Sequence, residues 1–537
     1  MIIICLIKGY NCIKISSLIL VLALILSLTG NAQGQVTGTK EVPKTADPEK
    51  NIAPGKKEKY EATWESLAAW ETPKWFDDAV FGIYWHWGPY SVAGFGYSCW
   101  YGSSMYDKDQ GPDYRKGDCY KHHVETWGDP YTEFGYKDFI PLLTAEKWDP
   151  DEWAELFKEI GADFVGPCAE HHDGFAMWDS KVTIWNSFNM GPHRDIVGET
   201  AKAVKSHDMK FVVTFHNNGC NNWNYFEPGR KGCPEGVDVN NPDYFGLYGE
   251  PHDSPGARHR MCLEFYDKAM EVIDKYDPQM IWLEGCMDKE IIKDYMPKLM
   301  AYYFNKAEKM GNGVVVTHKN EELPIECSPL DFEGGGKKEP DINKWQTDIP
   351  LPGCSWAYEY TIKMSKEDIE KGANTLVDNI VDRTSKNGVT MLSIGPRADG
   401  TIPDYQIEML KKLGIWMKVN KEALYGSTPA PFSKGGADTW KAGSIRFTEK
   451  GEYLYAIDLI KPFAGGVIPG IKLSRGSTIS MLGCTEKLKW HQDGNNVVFD
   501  KIPDTLPCDY AWAFKIKLTD VINQFNLTGS FIIQIPE

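Results

Sequence analysis

An α/β fold, a (β/α)8-like barrel followed by a C-terminal antiparallel β-sandwich, is what the sequence predicts, on three observations. From about residue 64 to 427, short apolar runs alternate with amphipathic stretches of helical length, the pattern of a parallel sheet built from strand–helix units. Four of the six runs end in His or Glu, and a fifth leads within two residues into Glu170-His171-His172-Asp173. Barrels of this kind gather their chemistry at the C-terminal ends of the strands. Beyond Pro431 the pattern changes to short alternating strands separated by Gly, Asn and Asp turns.

The chain opens with a targeting pattern. Lys8 and Lys14 precede an apolar run at 15–28, and small residues follow as far as Ala32. This describes a secretory signal, residues 1–32, and a periplasmic or extracellular destination with no membrane anchor after cleavage. Residues 33–60 are polar and read as a flexible leader. In the barrel, residues 61–430, strands are expected at 81–86, 164–168, 210–216, 280–284, 314–318 and 389–394. Helices are expected between and after them at 149–160, 195–207, 258–275, 288–310, 366–385 and 405–419. Six strands are explicit, and closure to eight is inferred from the length. Residues 431–537 make the sandwich, with strands at 445–448, 453–459, 478–482 and 497–502.

Composition narrows the function. Hydrophobic content of 42% and charged content of 25% exclude a disordered, collagen-like or multi-span membrane chain. With 58 Lys and Arg against 75 Asp and Glu, the net charge is −17, which disfavours a nucleic-acid partner in the absence of a basic patch. The 19 Trp and 26 Tyr supply flat apolar faces of the kind that stack on sugar rings, as well as core. Of 13 Cys, Cys5 and Cys12 fall in the signal; Cys99 with Cys119, or Cys220 with Cys233, could bridge loops. No Cys or His spacing suits structural zinc, and no cofactor is indicated.

The polar strand ends form an ordered series of motifs. His86 sits in Phe81-Gly82-Ile83-Tyr84-Trp85-His86-Trp87-Gly88, and His171-His172-Asp173-Gly174-Phe175 leads into Met177-Trp178-Asp179-Ser180. Trp185-Asn186 and Gly191-Pro192-His193-Arg194-Asp195 follow, then Lys386-Asn387-Gly388, Leu392-Ser393-Ile394-Gly395-Pro396 and Ala398-Asp399-Gly400-Thr401-Ile402-Pro403. A histidine pair alone would read as a satisfied core pair or a metal site. The whole series closely resembles glycoside hydrolase family 29, the α-L-fucosidases, from about Trp64 to the C-terminus.

A sugar presents hydroxyls in a fixed pattern, and a neutral His can both donate to and accept from them. The resemblance implies that His86, His171 and His172 hold fucose hydroxyls, with Trp100 beside the ring. It also implies an exo-acting, retaining hydrolase of oligosaccharides or polysaccharides that needs no cofactor. Retention takes two carboxyl groups ~5–5.5 Å apart, one a nucleophile and one an acid/base. The family's nucleophile is an Asp in a Trp-Phe-Asp-Gly strand end, and the matching Ile281-Trp282-Leu283-Glu284-Gly285 carries Glu284 instead. Its carboxylate reaches roughly 1.5 Å further from the backbone, and other retaining glycosidases use Glu in this role. Asp288 is the spare candidate, with helix capping as its ordinary role. Asp331-Phe332-Glu333-Gly334-Gly335, followed by Trp345-Gln346-Thr347-Asp348, resembles the acid/base segment of some members, so Glu333 takes that role and Glu326 is the alternative. Trp345 and Trp356 are candidate walls of the substrate site.

Three departures from the family bear on the sugar. Cys99-Trp100-Tyr101 stands in place of Glu-Trp-Tyr, Glu170 in place of a Lys before the histidine pair, and 211–216 lacks the usual Tyr and Ser. Losing an acidic wall lessens repulsion of a sulfated hydroxyl. The insertion at 106–128, with Lys108, Arg115, Lys116, Lys121, His122 and His123, would suit an anionic glycan or be a solvated loop. Two other readings stand beside this one: a glycosidase-like carbohydrate-binding protein without turnover, and an α-L-galactosidase-type hydrolase.

Overall fold

The computed structural model describes residues 58–108, 118–217, 224–230, 238–251, 253–430 and 445–522. The expected signal, most of the leader, Arg115, Lys116, Cys220 and Cys233 lie outside the described residues. Eight parallel strands, β1 Phe81–Trp85, β2 Phe164–Glu170, β3 Lys210–Phe215, β4 Met280–Leu283, β5 Val315–His318, β6 Asp331–Glu333, β7 Trp345–Pro350 and β8 Gly388–Ile394, form a sheet in the order β5-β4-β3-β2-β1-β8-β7-β6. Strand β5 meets the segment entering β6 through one parallel bridge, His318 to Leu330, so the sheet is nearly closed into a barrel.

The six strands read from apolar runs are all present, buried along nearly their whole length because helices and side chains cover both faces. Strands β6 and β7 escaped the sequence reading for a physical reason. The first has three residues, and the second buries Gln346, Thr347 and Asp348, so neither carries an apolar run.

Helices return the chain between strands, and local chemistry sets their ends. Asp149 accepts from the amides of Asp151 and Glu152, Pro150 occupies the first turn of Pro150–Ile160, and Gly161 closes it at positive φ. Ser365 and Asp368 form a capping box ahead of Lys366–Thr384. The helix expected at 288–310 is divided: Ile291–Tyr295 makes a wider π-type turn and Met296–Met310 follows. Pro297 explains the break, since a residue without an amide hydrogen is tolerated only in a first turn.

The C-terminal region holds two antiparallel sheets. Strands β9 Thr428–Pro429, β10 Ile445–Lys450, β11 Tyr453–Asp458, β13 Ile479–Met481 and β16 Trp512–Lys517 form one, in the order β13-β16-β11-β10-β9. Strands β12 Val467–Ile468, β14 Lys489–Asp493 and β15 Asn496–Lys501 form the other, in the order β12-β15-β14. Phe447, Leu454 and Phe514 from the first share a buried core with Ile468, Val497 and Phe499 from the second. Among the described cysteines, Cys99 and Cys119 are not bridged to each other: the Cys99 thiol faces the Ser355 carbonyl at 3.9 Å and the Cys119 thiol faces the Gly96 carbonyl at 3.6 Å.

Charge joins the β-region to the barrel. Arg446 on β10 donates from Nε to Asp382 Oδ1 at 2.7 Å, Lys386 donates to Asp382 Oδ2 at 2.9 Å, and all three side chains are buried. Trp416 adds a hydrogen bond to the Ala511 carbonyl at 2.7 Å. Replacing Asp382 by Ala strands buried cations, so Asp382→Ala should cost roughly 3–5 kcal/mol of stability in denaturant unfolding. A cost below about 1 kcal/mol would show that the ion pair does not hold the two parts together.

Candidate active site

A cavity of about 290 Å³ opens at the C-terminal ends of the barrel strands, just under the usual size of small-molecule sites. One wall is imidazole. His86 follows β1, His171 and His172 follow β2, and His216 follows β3. Successive residues of a regular strand face opposite ways. A register shift between Cys168 and Glu170 breaks that alternation just before the pair, and His171 and His172 both line the cavity. Ring centroids are 4.8 Å apart for His86 and His216, 4.8 Å for His171 and His216, and 4.6 Å for His171 and His172.

Burial keeps these rings neutral. It lowers His86 and His171 well below the ordinary histidine value, with the neighbouring imidazoles adding to the effect. His172 is lowered to about 3 by burial and by His216, and His216 is lowered by burial against the pull of Glu284. His86 Nδ1 lies 2.9 Å from Ser393 Oγ. His216 has Thr214 Oγ1 3.2 Å from Nε2 and Glu284 Oε2 3.3 Å from Nδ1, both satisfied when Nδ1 carries the proton. Trp100 packs on His172 at 5.0 Å, and Trp356, held at φ +74°, lies 5.7 Å from His86.

The opposite wall is carboxylate, organised by one ammonium. Glu284 follows β4, Lys319 follows β5, Glu333 ends β6 and Asp348 lies on β7. Lys319 Nζ is 3.1 Å from Glu284 Oε1, 3.2 Å from Glu333 Oε2 and 3.4 Å from Asp348 Oδ2. Lying 3.1 and 3.2 Å from one nitrogen, the Glu284 and Glu333 oxygens can be no farther apart than the sum of those distances, 6.3 Å. Burial alone would raise the Glu284 carboxyl; the His216 hydrogen bond and the Lys319 charge outweigh it and hold Glu284 far below the usual carboxylate range. Burial likewise opposes the Lys319 charge, and Asp348, Glu284, Asp331 and Glu333 overcome it. Asp348 is pushed well up by burial and by Asp331 beside it.

Of the residues singled out in the sequence, the cavity brings together His86, Trp100, His171, His172, Glu284, Glu333 and Trp356. Trp345 is corrected. Its side chain is 1% exposed, packs edge-on to Phe332 and donates to the Lys386 carbonyl at 2.8 Å, because β7 turns it away from the cavity into the barrel's outer layer. The spare carboxylates also lie elsewhere: Asp288 pairs with Arg258 at 2.7 Å and caps the Glu290 amide, and Glu326 is exposed. Glu170 is buried against Lys268 at 2.9 Å. In the 106–128 insertion, His122 stacks on Phe95 at 3.9 Å and His123 bonds the Phe134 carbonyl, and burial lowers the pKa of both.

His216, Lys319 and Asp348 belong to the cavity and were not chosen from the sequence. The first two stand at strand ends and carried that signal; Asp348 sits on a strand with no apolar run to announce it. One ligand atom each from His86, His171 and His216, or from His172, His216 and Glu284, comes within 4.8 Å of the others, a spacing that could share a metal ion or hydrogen-bond a polyol. The ammonium 3.1 Å from Glu284 repels a cation at the second set and favours the neutral ligand.

Comparison with known proteins agrees with this geometry. The profile of the α-L-fucosidase family matches residues 49–422. The tissue α-L-fucosidase of Rattus norvegicus is 29% identical over 487 residues, covering 85% of this chain and 92% of its own, and that of Homo sapiens is 28% identical, covering 86% and 92%. The crystal structure of Thermotoga maritima α-fucosidase, also solved in complex with fucose, is similar with a TM-score of 0.67 at 30% identity, over 85% of this chain and 100% of that one. With its barrel, its cavity and these relatives in agreement, the chain belongs to the α-L-fucosidase family of glycoside hydrolases.

Proposed function

We propose that the chain removes terminal α-L-fucose from glycans with retention of configuration, with Glu284 as nucleophile and Glu333 as acid/base. The observation that carries this reading is that Glu284 and Glu333 share one ammonium, Lys319, at 3.1 and 3.2 Å. Inverting pairs stand ~6.5–9.5 Å apart to admit a water and retaining pairs ~5–5.5 Å, and two carboxylates gathered on one ammonium suit the closer arrangement. The roles follow from environment. Glu284 is held ionised and its side chain is 19% exposed; Glu333 is 57% exposed, on the side open to a departing aglycone and an arriving water.

In the first step Glu284 attacks C1, the C1–O bond to the aglycone breaks, and the leaving oxygen takes a proton from Glu333. In the second, Glu333 takes a proton from water as its oxygen bonds C1, and the Glu284 carboxylate leaves with the electron pair. His86, His171 and His172 bond the hydroxyls, His216 orients Glu284, and Trp100 and Trp356 wall the ring. The carboxylate pair speaks for turnover and against a purely binding role. Among the described residues Lys319 is the one ammonium or guanidinium at the cavity, and three carboxyl groups already engage it. The reading is therefore of an unsulfated sugar, despite the basic residues of the insertion. The apolar run at 15–28 supports export with cleavage after Ala32.

With an aryl α-L-fucoside, Glu284→Gln should lose at least ~1,000-fold in kcat, while Glu333→Gln keeps a larger fraction because a phenol leaves with little acid help. Comparable loss in both variants would refute the division of roles. Proton NMR should show α-fucose as the first product, and β-fucose first would sink retention. A sulfated oligosaccharide bound or cleaved better than its desulfated form would overturn the unsulfated reading, and an α-L-galactoside preferred to the fucoside would move the activity to that sugar.

The neutral histidines make a further expectation. With His172 lowered to about 3 in the folded state, unfolded chains take up protons below about pH 6.5 that the folded one refuses. Stability should therefore fall as pH drops below about 6.5, while fucose affinity shows no histidine step near that value. A roughly tenfold loss of affinity between pH 7 and 5.5 would show that a protonating imidazole reads the sugar.

A further inference from the structure

Two buried carboxyl groups, Asp348 in the cavity wall and Asp331 behind it, take no part in the chemistry just described. Asp331 on β6 and Asp348 on β7 adjoin closely enough to hydrogen-bond each other, and the Trp282 indole lies beside Asp331. Gln346 Nε2 donates to Asp331 Oδ1 at 2.9 Å, and the Tyr84 hydroxyl donates to Asp348 Oδ2 at 3.2 Å. A hydrogen bond between two carboxyl groups needs one proton between them, and two adjacent carboxylates in a buried site do not both ionise. Lys319 approaches Asp348 Oδ2 at 3.4 Å from the cavity side and stands over the Trp282 and Trp356 rings at 4.8 and 5.9 Å.

We propose that Asp348, sharing one proton with Asp331, is the positioning residue that keeps the Lys319 ammonium between Glu284 and Glu333 through both steps of turnover. This rests on the retaining mechanism proposed above. In the free enzyme the ammonium is divided between Glu284 and Glu333. When Glu284 bonds C1 it becomes a neutral ester and its attraction for the ammonium falls. An ammonium anchored by Asp348 stays in place, 3.2 Å from the Glu333 oxygen, and holds that side chain where it must take the proton from water. Without the anchor, the flexible four-carbon stem lets the ammonium move off when Glu284 is esterified. The charged and titratable groups facing Lys319 are Glu284 beyond β4, Asp331 and Glu333 on β6, Asp348 on β7, and His86, His172 and His216 across the cavity.

The defect expected on removing the anchor is specific to the second step. With 2,4-dinitrophenyl α-L-fucoside the first step needs no acid, so hydrolysis of the ester limits kcat. Asp348→Ala in the full chain should lower kcat roughly 10-fold or more, part of what a general base supplies, and lower KM with it as the ester accumulates. Azide attacks C1 without a general base, so it should restore turnover and yield the fucosyl azide. Asp348→Asn presents an oxygen to Lys319 and an N–H to Asp331, as the protonated acid does, and should stay near wild type. Asp348→Val fills the same space and reads the same effect if the alanine variant does not fold. Unchanged kcat in the alanine and valine variants, or equal losses in kcat and kcat/KM with no azide effect, would overturn the positioning role. So would an asparagine variant as impaired as the alanine one. Wild type that is not labelled on Glu284 by 2-deoxy-2-fluoro-fucosyl fluoride would overturn the retaining mechanism and this role together, whereas labelled wild type with a silent Asp348 overturns this role alone.

Discussion

Lys319 carries its charge into a largely buried site and meets carboxyl groups from three other strands of the barrel. Desolvating an ammonium costs several kcal/mol, and that cost is offset only where anionic partners surround it closely. The same condition constrains the partners. Glu284, Glu333 and Asp348 are repulsive neighbours without the ammonium, and with it they are held together around one nitrogen. In the proposed mechanism, ion pairing and catalytic spacing are one arrangement.

The barrel makes that arrangement possible by bringing strand ends together. Four consecutive strands supply the ammonium and its carboxyl partners, and the first three supply the histidines. The two walls meet at His216, whose ring touches His86 and His171 on one side and Glu284 on the other. Buried neutral imidazoles can donate and accept without adding charge, so the histidine wall leaves the electrostatics of the acid-bearing wall to Lys319. Helix ends, caps and the ion-paired β-region at Asp382 keep the strands in place at a distance from the chemistry.

Much of this was legible residue by residue. The apolar runs gave six strands, the polar ends of those runs gave His86, His171, His172 and Glu284, and the motif series pointed to the family that the comparisons then showed. Glu333 was found through resemblance, since its three-residue strand has no pattern of its own. Strand β7 was hidden for the opposite reason: it is long enough, but its buried Gln346, Thr347 and Asp348 look like a loop to any rule based on apolar alternation. Trp345 was misplaced by the same gap, because the direction of a side chain on an unread strand cannot be known.

The linear order of residues determined the fold class and the chemistry available, because hydrophobic periodicity and strand-end polarity are local properties of the chain. Tertiary structure decided which of those groups meet. Lys319 lies 35 positions from Glu284, 14 from Glu333 and 29 from Asp348, and only barrel closure gathers all three around one nitrogen. Burial then set their charge states, since the free energy of a charge depends on what surrounds it and not on what precedes it in the chain.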